Sequence, residues 1–143
     1  QELFSAERGS GARLNGVPIR VSSRQELVDA LLCTGFPYSI REHQRQQVDV
    51  FAAFLGRSRA VRRLGSAALD LCYVAAGRFD GFWEEQLHAW DIAAGVLIVQ
   101  EAGGRVTGYA DEPIDLFGGR IVASNGPMHR PMLEVIRGTA LSG

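Results

Sequence analysis

The order of apolar patterns after residue 30 constrains the fold of this chain more than any other feature. Short apolar runs alternate with longer segments of helical character, and glycines stand at many of the boundaries. Alternating strands and helices predict an α/β fold with helices on both faces of a sheet. The predicted strands are residues 31–36, 60–64, 78–84, 105–107 and 120–123, and the predicted helices are residues 42–56, 67–76, 89–102 and 125–137.

Three helices carry more detailed predictions. Residues 89–102 are apolar nearly all round, which predicts a helix buried between layers. Pro127 suits the first position of the last helix, because proline has no backbone N–H to satisfy there. Residues 42–56 predict a surface helix with one buried stripe. The predicted stripe consists of Val48, Phe51, Ala52, Phe54 and Leu55.

The first 22 residues have a different character. Residues 2–8 and 17–22 alternate in the manner of β-strands, with turn signals at residues 9–11 and at Asn15-Gly16. They predict a β-hairpin or meander of a separate antiparallel sheet, and Ser23 with Glu26 forms a capping-box pattern that predicts a short helix over residues 24–30. We therefore divide the chain into a hairpin unit, residues 1–23, and an α/β unit, residues 24–143. Because the sequence opens in the middle of a strand pattern without methionine, we expect it to be part of a longer protein.

Composition indicates the cellular compartment of the protein and the classes of partner that it does not bind. The formal charge is −1, and such a near-neutral chain is a poor candidate for binding nucleic acid. Its apolar runs are too short and interrupted to span a bilayer, so no membrane partner is expected. Cys33 and Cys72 stand in apolar runs with no metal or redox spacing, which predicts buried free thiols. Together these features favour a cytoplasmic protein.

One junction from strand to helix lies at Leu64-Gly65-Ser66-Ala67. Ligands of open α/β sheets collect at the carboxyl ends of strands, and free N–H groups at a helix start suit an anion or a hydroxyl. The alternative interpretation is a serine that only caps the helix.

A second junction runs from Glu84 to Asp91. Asp91 falls in the first turn of the buried helix, where the helix dipole stabilises a carboxylate that can offer oxygen to Mg²⁺. The alternative is a favourable first-turn charge without a ligand. His88 between them is either a donor to a substrate or a residue packed between Leu87 and Trp90. The spacing of these side chains does not fit a zinc site.

Other motifs suggest structural roles. Residues 9–11 are not a dinucleotide loop, because no helix follows them. Asp80-Gly81 is predicted to lie inside a strand and residues 111–115 in a surface loop, so we interpret both acidic segments as structural. The remaining feature is an arginine cluster that either biases a binding pocket toward negative charge or forms a solvated or dimer-facing patch. It consists of Arg57, Arg59, Arg62 and Arg63.

Several of these motifs together resemble the inositol monophosphatase family. The resemblance covers essentially the whole chain. It is most specific in the segment around Trp90-Asp91, which is similar to the family's C-terminal metal-binding motif. The matching segments are Gly77-Arg78-Phe79-Asp80-Gly81-Phe82-Trp83-Glu84, His88-Ala89-Trp90-Asp91-Ile92-Ala93-Ala94-Gly95 and Glu101-Ala102-Gly103-Gly104, with Gly65-Ser66-Ala67, Leu3-Phe4-Ser5-Ala6, Gly9-Ser10-Gly11-Ala12 and Asn15-Gly16 in support.

The resemblance implies a fold and a chemistry. The fold is the C-terminal half of a layered α-β-α-β-α sandwich with a mixed sheet, usually in a homodimer. The chemistry is hydrolysis of a small phosphorylated polyol or sugar by water activated by Mg²⁺, with inhibition by lithium. Inositol 1-phosphate is the leading substrate, and relatives act on histidinol phosphate, fructose 1,6-bisphosphate or nucleotide 3'-phosphates. Asp91 matches a catalytic metal ligand that also contacts substrate, and the other matching substrate contacts are Gly65, Ser66, Ala67 and Glu84.

The chain also departs from the family pattern. The paired glutamates and the Asp-Pro-x-Asp-Gly-Thr/Ser motif, which supply the other metal ligands, are absent from the sequence. One carboxylate cannot hold a cluster of Mg²⁺ ions against their hydration. We therefore expect the missing ligands in an N-terminal half, or else a non-catalytic regulatory or interaction protein. In either case Ser66, Glu84 and Asp91 should converge on one crevice.

Overall fold

Strands and helices alternate along the chain in the predicted order. The computed structural model describes residues 1–37 and 44–140. Within these ranges there are eight strands, four α-helices and one 3-10 turn. The strands are β1 Phe4–Glu7, β2 Gly11–Leu14, β3 Val17–Ile19, β4 Leu31–Thr34, β5 Ala60–Arg62, β6 Gly81–Glu85, β7 Arg105–Thr107 and β8 Arg120–Ser124, and the helices are α1 Gln44–Leu55, α2 Ala67–Ala75, α3 Ala89–Glu101 and α4 His129–Ala140.

The strands form two separate sheets. The small sheet is antiparallel in the order β1-β2-β3, and the large sheet has the order β5-β4-β6-β8-β7. Strands β5, β4 and β6 are parallel neighbours, whereas β8 runs antiparallel to both β6 and β7. The carboxyl ends of β5, β4 and β6 therefore meet at one edge of the large sheet.

Alternation along the strands of the large sheet creates two apolar cores. Cys33 and Phe82 point to the face covered by α2 and α3. Leu32 and Trp83 point to the other face, which α1 and α4 cover, and the Trp83 ring stacks on Phe54 with centroids 4.0 Å apart. The small sheet packs on the far side of α2 and α3, so the described residues form four layers.

Helix α3 lies between the two sheets, as its nearly continuous apolar sequence predicts. Its side chains Ile92, Val96 and Val99 are buried in the core shared by both sheets. At its C-terminal end the Glu101 carboxylate accepts hydrogen bonds from the backbone N–H groups of Gly9 and Gly11, at 3.0 and 2.9 Å. The turn between β1 and β2 is thereby fixed to the end of α3.

The predicted helix over residues 24–30 is wrong. The structure has a 3-10 turn at Leu27–Asp29 only, preceded by Glu26 in an extended conformation, and no side chain caps it. The reason is that Asp80 holds the residues at the start of this segment in a non-helical conformation. Ser22 donates a hydrogen bond to Asp80, and the Arg24 guanidinium forms an ion pair with the same carboxylate at 3.2 Å.

Two further local predictions need correction. In α1 the buried residues include Val50 and Phe54, whereas Val48 and Leu55 of the predicted stripe are 46% and 53% exposed. Residues 42 and 43 of that predicted helix lie outside the described residues. Helix α4 begins at His129, so Pro127 precedes it in a turn, where the Asn125 side chain accepts a hydrogen bond from the Met128 N–H at 3.0 Å.

Asp80 lies directly before β6 rather than inside a strand. Its side chain is 3% exposed and also accepts a hydrogen bond from the Leu31 N–H at 2.7 Å. These contacts join the segment after the small sheet to the starts of β4 and β6. Asp80 therefore lies at the edge of the large sheet opposite the carboxyl ends of the parallel strands, which fits a structural role.

None of the helices within residues 1–37 and 44–140 combines the length and the apolar character that crossing a bilayer demands. The division of the chain at residues 23 and 24 stays a prediction.

Candidate functional site

An open cleft of about 1010 Å³ lies at the carboxyl edge of β5, β4 and β6. Three segments that directly follow these strands form its walls, as the general rule for ligand sites in open α/β sheets leads us to expect. The structure thus brings all the predicted site residues together. The lining residues include Gly35, Phe36, Arg63, Gly65, Ser66, Ala67, Glu84, His88, Trp90 and Asp91.

The turn at Gly65-Ser66 begins helix α2. Gly65 has a φ of +87°, a left-handed conformation that favours glycine. The Ser66 hydroxyl accepts a hydrogen bond from the Leu69 N–H at 3.4 Å, so Ser66 is an N-cap residue. Because Ser66 and Ala67 also line the cleft, capping and ligand binding are compatible at this position.

Asp91 lies in the first turn of α3 and faces the same cleft. One oxygen, Oδ2, accepts a hydrogen bond from the His88 N–H at 2.9 Å, which fixes the carboxylate at the helix start. Its Oδ1 has no hydrogen-bond partner among the described residues. The His88 ring stacks on Trp90 with centroids 4.4 Å apart, which agrees with the Trp90 contact of the packing interpretation, but the ring is exposed.

Glu84 occupies the floor of the cleft next to Gly35. A Cβ atom on Gly35 would stand 2.3 Å from Glu84 Oε1, so any larger residue at this position would require the carboxyl group to move. Burial, followed by the negative charges of Asp70 and Asp91, raises the pKa of Glu84 to about 7. Near neutral pH Glu84 can therefore accept or donate a hydrogen bond, which suits a contact with a hydroxyl group.

Asp70 lies in the first turn of α2, four residues after Ser66, and the sequence analysis did not single it out. It is the one charged residue of this helix and is 1% exposed, with no hydrogen-bond partner for either carboxylate oxygen among the residues described. Burial raises the pKa of Asp70 to about 7. Burial, with smaller contributions from Asp70 and Glu84, also raises the pKa of the Cys33 thiol well above its usual value. The sequence feature that could have identified Asp70 is that it is the single aspartate in an otherwise apolar helix.

The number of oxygen ligands in the cleft decides whether these residues can hold a divalent cation. Asp91 offers a carboxylate oxygen, but no group of three or more His, Cys, Asp or Glu side chains in the described ranges is arranged to hold a metal ion. Mg²⁺ prefers six oxygen ligands in octahedral geometry. The described residues therefore fit one ligand position of a magnesium site and do not build the whole site.

A second hollow of about 480 Å³ lies beside α4 and the end of α1. It is lined by Leu27, Arg57, Val135 and neighbouring residues, and none of the predicted site residues borders it.

Comparison with known proteins decides the family. A model of the inositol monophosphatase family matches residues 1–139. The chain belongs to the inositol monophosphatase family. This confirms the family resemblance of its motifs, and the mixed α/β fold is confirmed by the solved structures of the family.

Relatives of the family match nearly all of this chain. It is 48% identical over 141 residues to the Nus factor SuhB of Pseudomonas aeruginosa, a match that covers 96% of this chain and 51% of the relative. It is 45% identical over 139 residues to the inositol-1-monophosphatase of Synechocystis, covering 97% of this chain and 48% of the relative. The inositol monophosphatase structure from Anabaena superposes with a TM-score of 0.94 at 43% identity, covering 96% of this chain and 55% of that one. The chain spans about half the length of the curated relatives it matches.

Proposed function

We propose that the protein containing this chain is a Mg²⁺-dependent phosphomonoesterase of small polyol or sugar phosphates, with inositol 1-phosphate as the leading substrate. The observation that carries the proposal is the convergence of the Ser66 turn, Glu84 and Asp91 on one cleft. Relatives named inositol-1-monophosphatase, at 45% and 46% identity, support the substrate class.

The residues of this chain take distinct roles in the proposal. Asp91 would hold a Mg²⁺ ion through its carboxylate, and the ion would supply charge neutralisation and water activation when bound. Backbone N–H groups at the start of α2, near Ser66 and Ala67, would bind the substrate. Glu84 would position the polyol by hydrogen bonds to its hydroxyl groups.

The residues that the structure describes do not supply the rest of the metal site. We propose that the other carboxylate ligands lie in the part of the family's length that this chain does not span, and that the whole protein is a lithium-sensitive, cytoplasmic homodimer.

The test compares the full-length protein with residues 1–143 alone. The full-length protein should release phosphate from inositol 1-phosphate only when Mg²⁺ is present, and LiCl should inhibit it. Residues 1–143 alone should show no Mg²⁺-dependent release, because one carboxylate does not hold the ion. Robust turnover by this piece, or no turnover by the full-length protein, would refute the proposal.

A non-catalytic role is the second candidate, and the name of the Pseudomonas aeruginosa relative, a Nus factor, favours it. The same assay separates the two functions. If the full-length protein is folded and hydrolyses none of the candidate esters in Mg²⁺, the interaction role becomes the better proposal.

A substitution at Gly35 tests the placement of Glu84. Gly35→Ala should displace the Glu84 carboxyl group, since the new methyl group would overlap it. We expect KM for inositol 1-phosphate to rise about tenfold with a smaller change in kcat, because loss of a substrate contact acts mainly on binding. Steady-state kinetics of the full-length variant give both constants.

Gly56→Ala is the matched control for this substitution. A Cβ there would meet its nearest neighbour at an ordinary 3.9 Å, at the end of α1 and away from the cleft. An unchanged KM in Gly35→Ala would show that Glu84 does not contact the substrate.

A further inference from the structure

His129 lies in a buried polar cluster outside the cleft. It is the first residue of α4, and none of its surface is exposed. Its ring nitrogen Nε2 lies 2.8 Å from the Thr107 hydroxyl of β7, and Nδ1 lies 3.0 Å from the Ser124 hydroxyl of β8. The imidazole therefore joins the start of a helix to two neighbouring strands of the large sheet.

The directions of the hydrogen bonds fix the tautomer of this ring. The Thr107 hydroxyl donates its single hydrogen to the Gly108 carbonyl at 2.8 Å, so it accepts from His129 Nε2, which must carry a hydrogen. A neutral imidazole has one N–H, so Nδ1 accepts a hydrogen bond from the Ser124 hydroxyl. The Ser124 oxygen in turn accepts from the Gly126 N–H at 3.1 Å. Both ring nitrogens and both hydroxyl groups are thus satisfied when His129 is neutral.

A second proton on His129 would disrupt this cluster. Nδ1 would become a donor, and the Ser124 hydroxyl hydrogen that points to it would lose its acceptor. The Asp111 carboxylate lies 3.9 Å from Nε2, but it already pairs with Arg105 at 2.8 Å. Burial, followed by the positive charge of Arg105, lowers the pKa of His129 to about 4, and Asp111 opposes this shift.

The other charged groups around His129 contact partners of their own. They are Glu112 and Asp115 of the segment after β7, Arg120 of β8, and Arg130, Glu134 and Arg137 of α4. Within the described ranges, Asp111 is the one carboxylate that contacts the ring. A charged His129 would therefore share a single counter-ion with Arg105.

The segment next to His129 extends to the cleft. Residues 108–119 connect β7 to β8 and begin at Gly108, whose carbonyl accepts the Thr107 hydroxyl hydrogen. At the other end the Gly119 carbonyl accepts a hydrogen bond from the Leu87 N–H at 3.1 Å, and Leu87 lines the cleft. A change at His129 thus has a continuous route to the cleft wall.

We propose that His129 is an acid-sensitive latch, whose neutral ring holds residues 108–119 and the start of α4 to the sheet and whose protonation releases them. Because the ring is fully buried, water and protons reach it when this region opens locally. In water the pKa of the ring returns toward about 6.5, so acid favours the open form. The latch is a conformational device of the fold and does not require the proposed catalytic activity.

Hydrogen exchange of the full-length protein, followed by mass spectrometry at pH 7 and pH 4.5, measures this opening. After correction for intrinsic exchange rates, opening of residues 108–119 should be roughly fiftyfold more favourable at pH 4.5, because the pKa is about 4 in the closed form and about 6.5 in the open form. Peptides from α3 should stay protected at both pH values. His129→Gln keeps a donor and an acceptor but does not titrate, so its opening should change less than about threefold.

His88→Gln is the matched control, because it makes the same substitution at an exposed histidine and should keep the full acid response. An equal response in His129→Gln, no response in wild type, or simultaneous loss of protection in α3 would each overturn the proposal. If His129→Gln does not fold, ¹⁵N NMR of wild-type protein labelled at histidine decides. A hydrogen on Nε2 and none on Nδ1 from pH 7 down to pH 5 supports the latch, whereas a hydrogen on Nδ1 anywhere in that range overturns it.

Discussion

Replacing Asp91 by asparagine should reduce phosphate release by the full-length protein about a thousandfold. The change keeps the shape of the side chain but removes the charge that a divalent cation needs. Charge stabilisation by such an ion contributes several kcal/mol to the transition state, and each ~1.4 kcal/mol changes the rate tenfold. Folding should change little, since the amide oxygen of asparagine can still accept the hydrogen bond from the His88 N–H. A Mg²⁺ titration of phosphate release measures the loss.

The control for Asp91 must remove a charge without disturbing the fold. Asp80→Asn is unsuitable, because Asp80 is buried and holds Ser22, Arg24 and the Leu31 N–H. Asp49 is exposed on α1, so Asp49→Asn should leave turnover unchanged. If Asp91→Asn kept the wild-type rate and Mg²⁺ dependence, Asp91 would be only a favourable charge at a helix start.

The second large effect concerns Asp70 and the pH dependence of stability. The pKa of Asp70 is raised by burial from 3.8 to about 7, so the folded state holds this proton more tightly than the unfolded state. Well below pH 3.8 both states are protonated and the full stability is present. Stability then falls as pH rises toward 7 and stays lower above it, by roughly 4 kcal/mol at most, since one pH unit corresponds to about 1.4 kcal/mol.

Asp70→Asn should remove most of this loss. The amide has no charge to bury, although it still lacks hydrogen-bond partners and gives up a favourable helix-dipole interaction, so we expect a net gain of about 2 kcal/mol at pH 8 and little gain at pH 4. Urea unfolding of wild type and variant at both pH values measures the difference. An equal gain at pH 4 and pH 8 would show that Asp70 does not titrate in this range.

The comparison with the variant is necessary because other buried groups titrate in the same window. Burial lowers the pKa of His129 to about 4, so its contribution to stability is lost as pH falls from about 6.5. Glu84 acts in the same direction as Asp70, since burial and neighbouring carboxylates raise its pKa to about 7. The difference between wild type and Asp70→Asn removes the contribution of His129 and leaves that of Asp70 together with its interaction with Glu84, whose pKa the Asp70 charge raises.

Local patterns were sufficient to predict most elements of the fold. Strands formed by the apolar runs around Leu32 and Phe82 depend on local sequence. The small-residue helix after Ser66 does so too, and these elements were therefore predicted from the sequence. The helix predicted over residues 24–30 failed because Asp80, distant in sequence, binds Ser22 and Arg24 and holds that segment in another form. Propensity competes with tertiary contacts at such positions, and here the contacts prevail.

The candidate site could be predicted in part. Strand ends indicated Ser66, Glu84 and Asp91, and the structure brings them to one cleft. The same rule applied to β4 would have indicated Gly35 and Phe36 as well. The stacking of Arg63 on Phe36 could not be predicted, because it depends on two strands lying side by side and on the direction of one flexible side chain.

Helix α3 connects the cleft to the turn between β1 and β2. Asp91 stands near its first turn, and Glu101, ten residues later, holds the turn between β1 and β2, a rise of roughly 15 Å along the axis. The buried side chains Ile92, Val96 and Val99 hold the helix in the core between these two ends. The hairpin at the start of this chain is therefore joined to Asp91 through a single helix, although none of its residues lines the cleft.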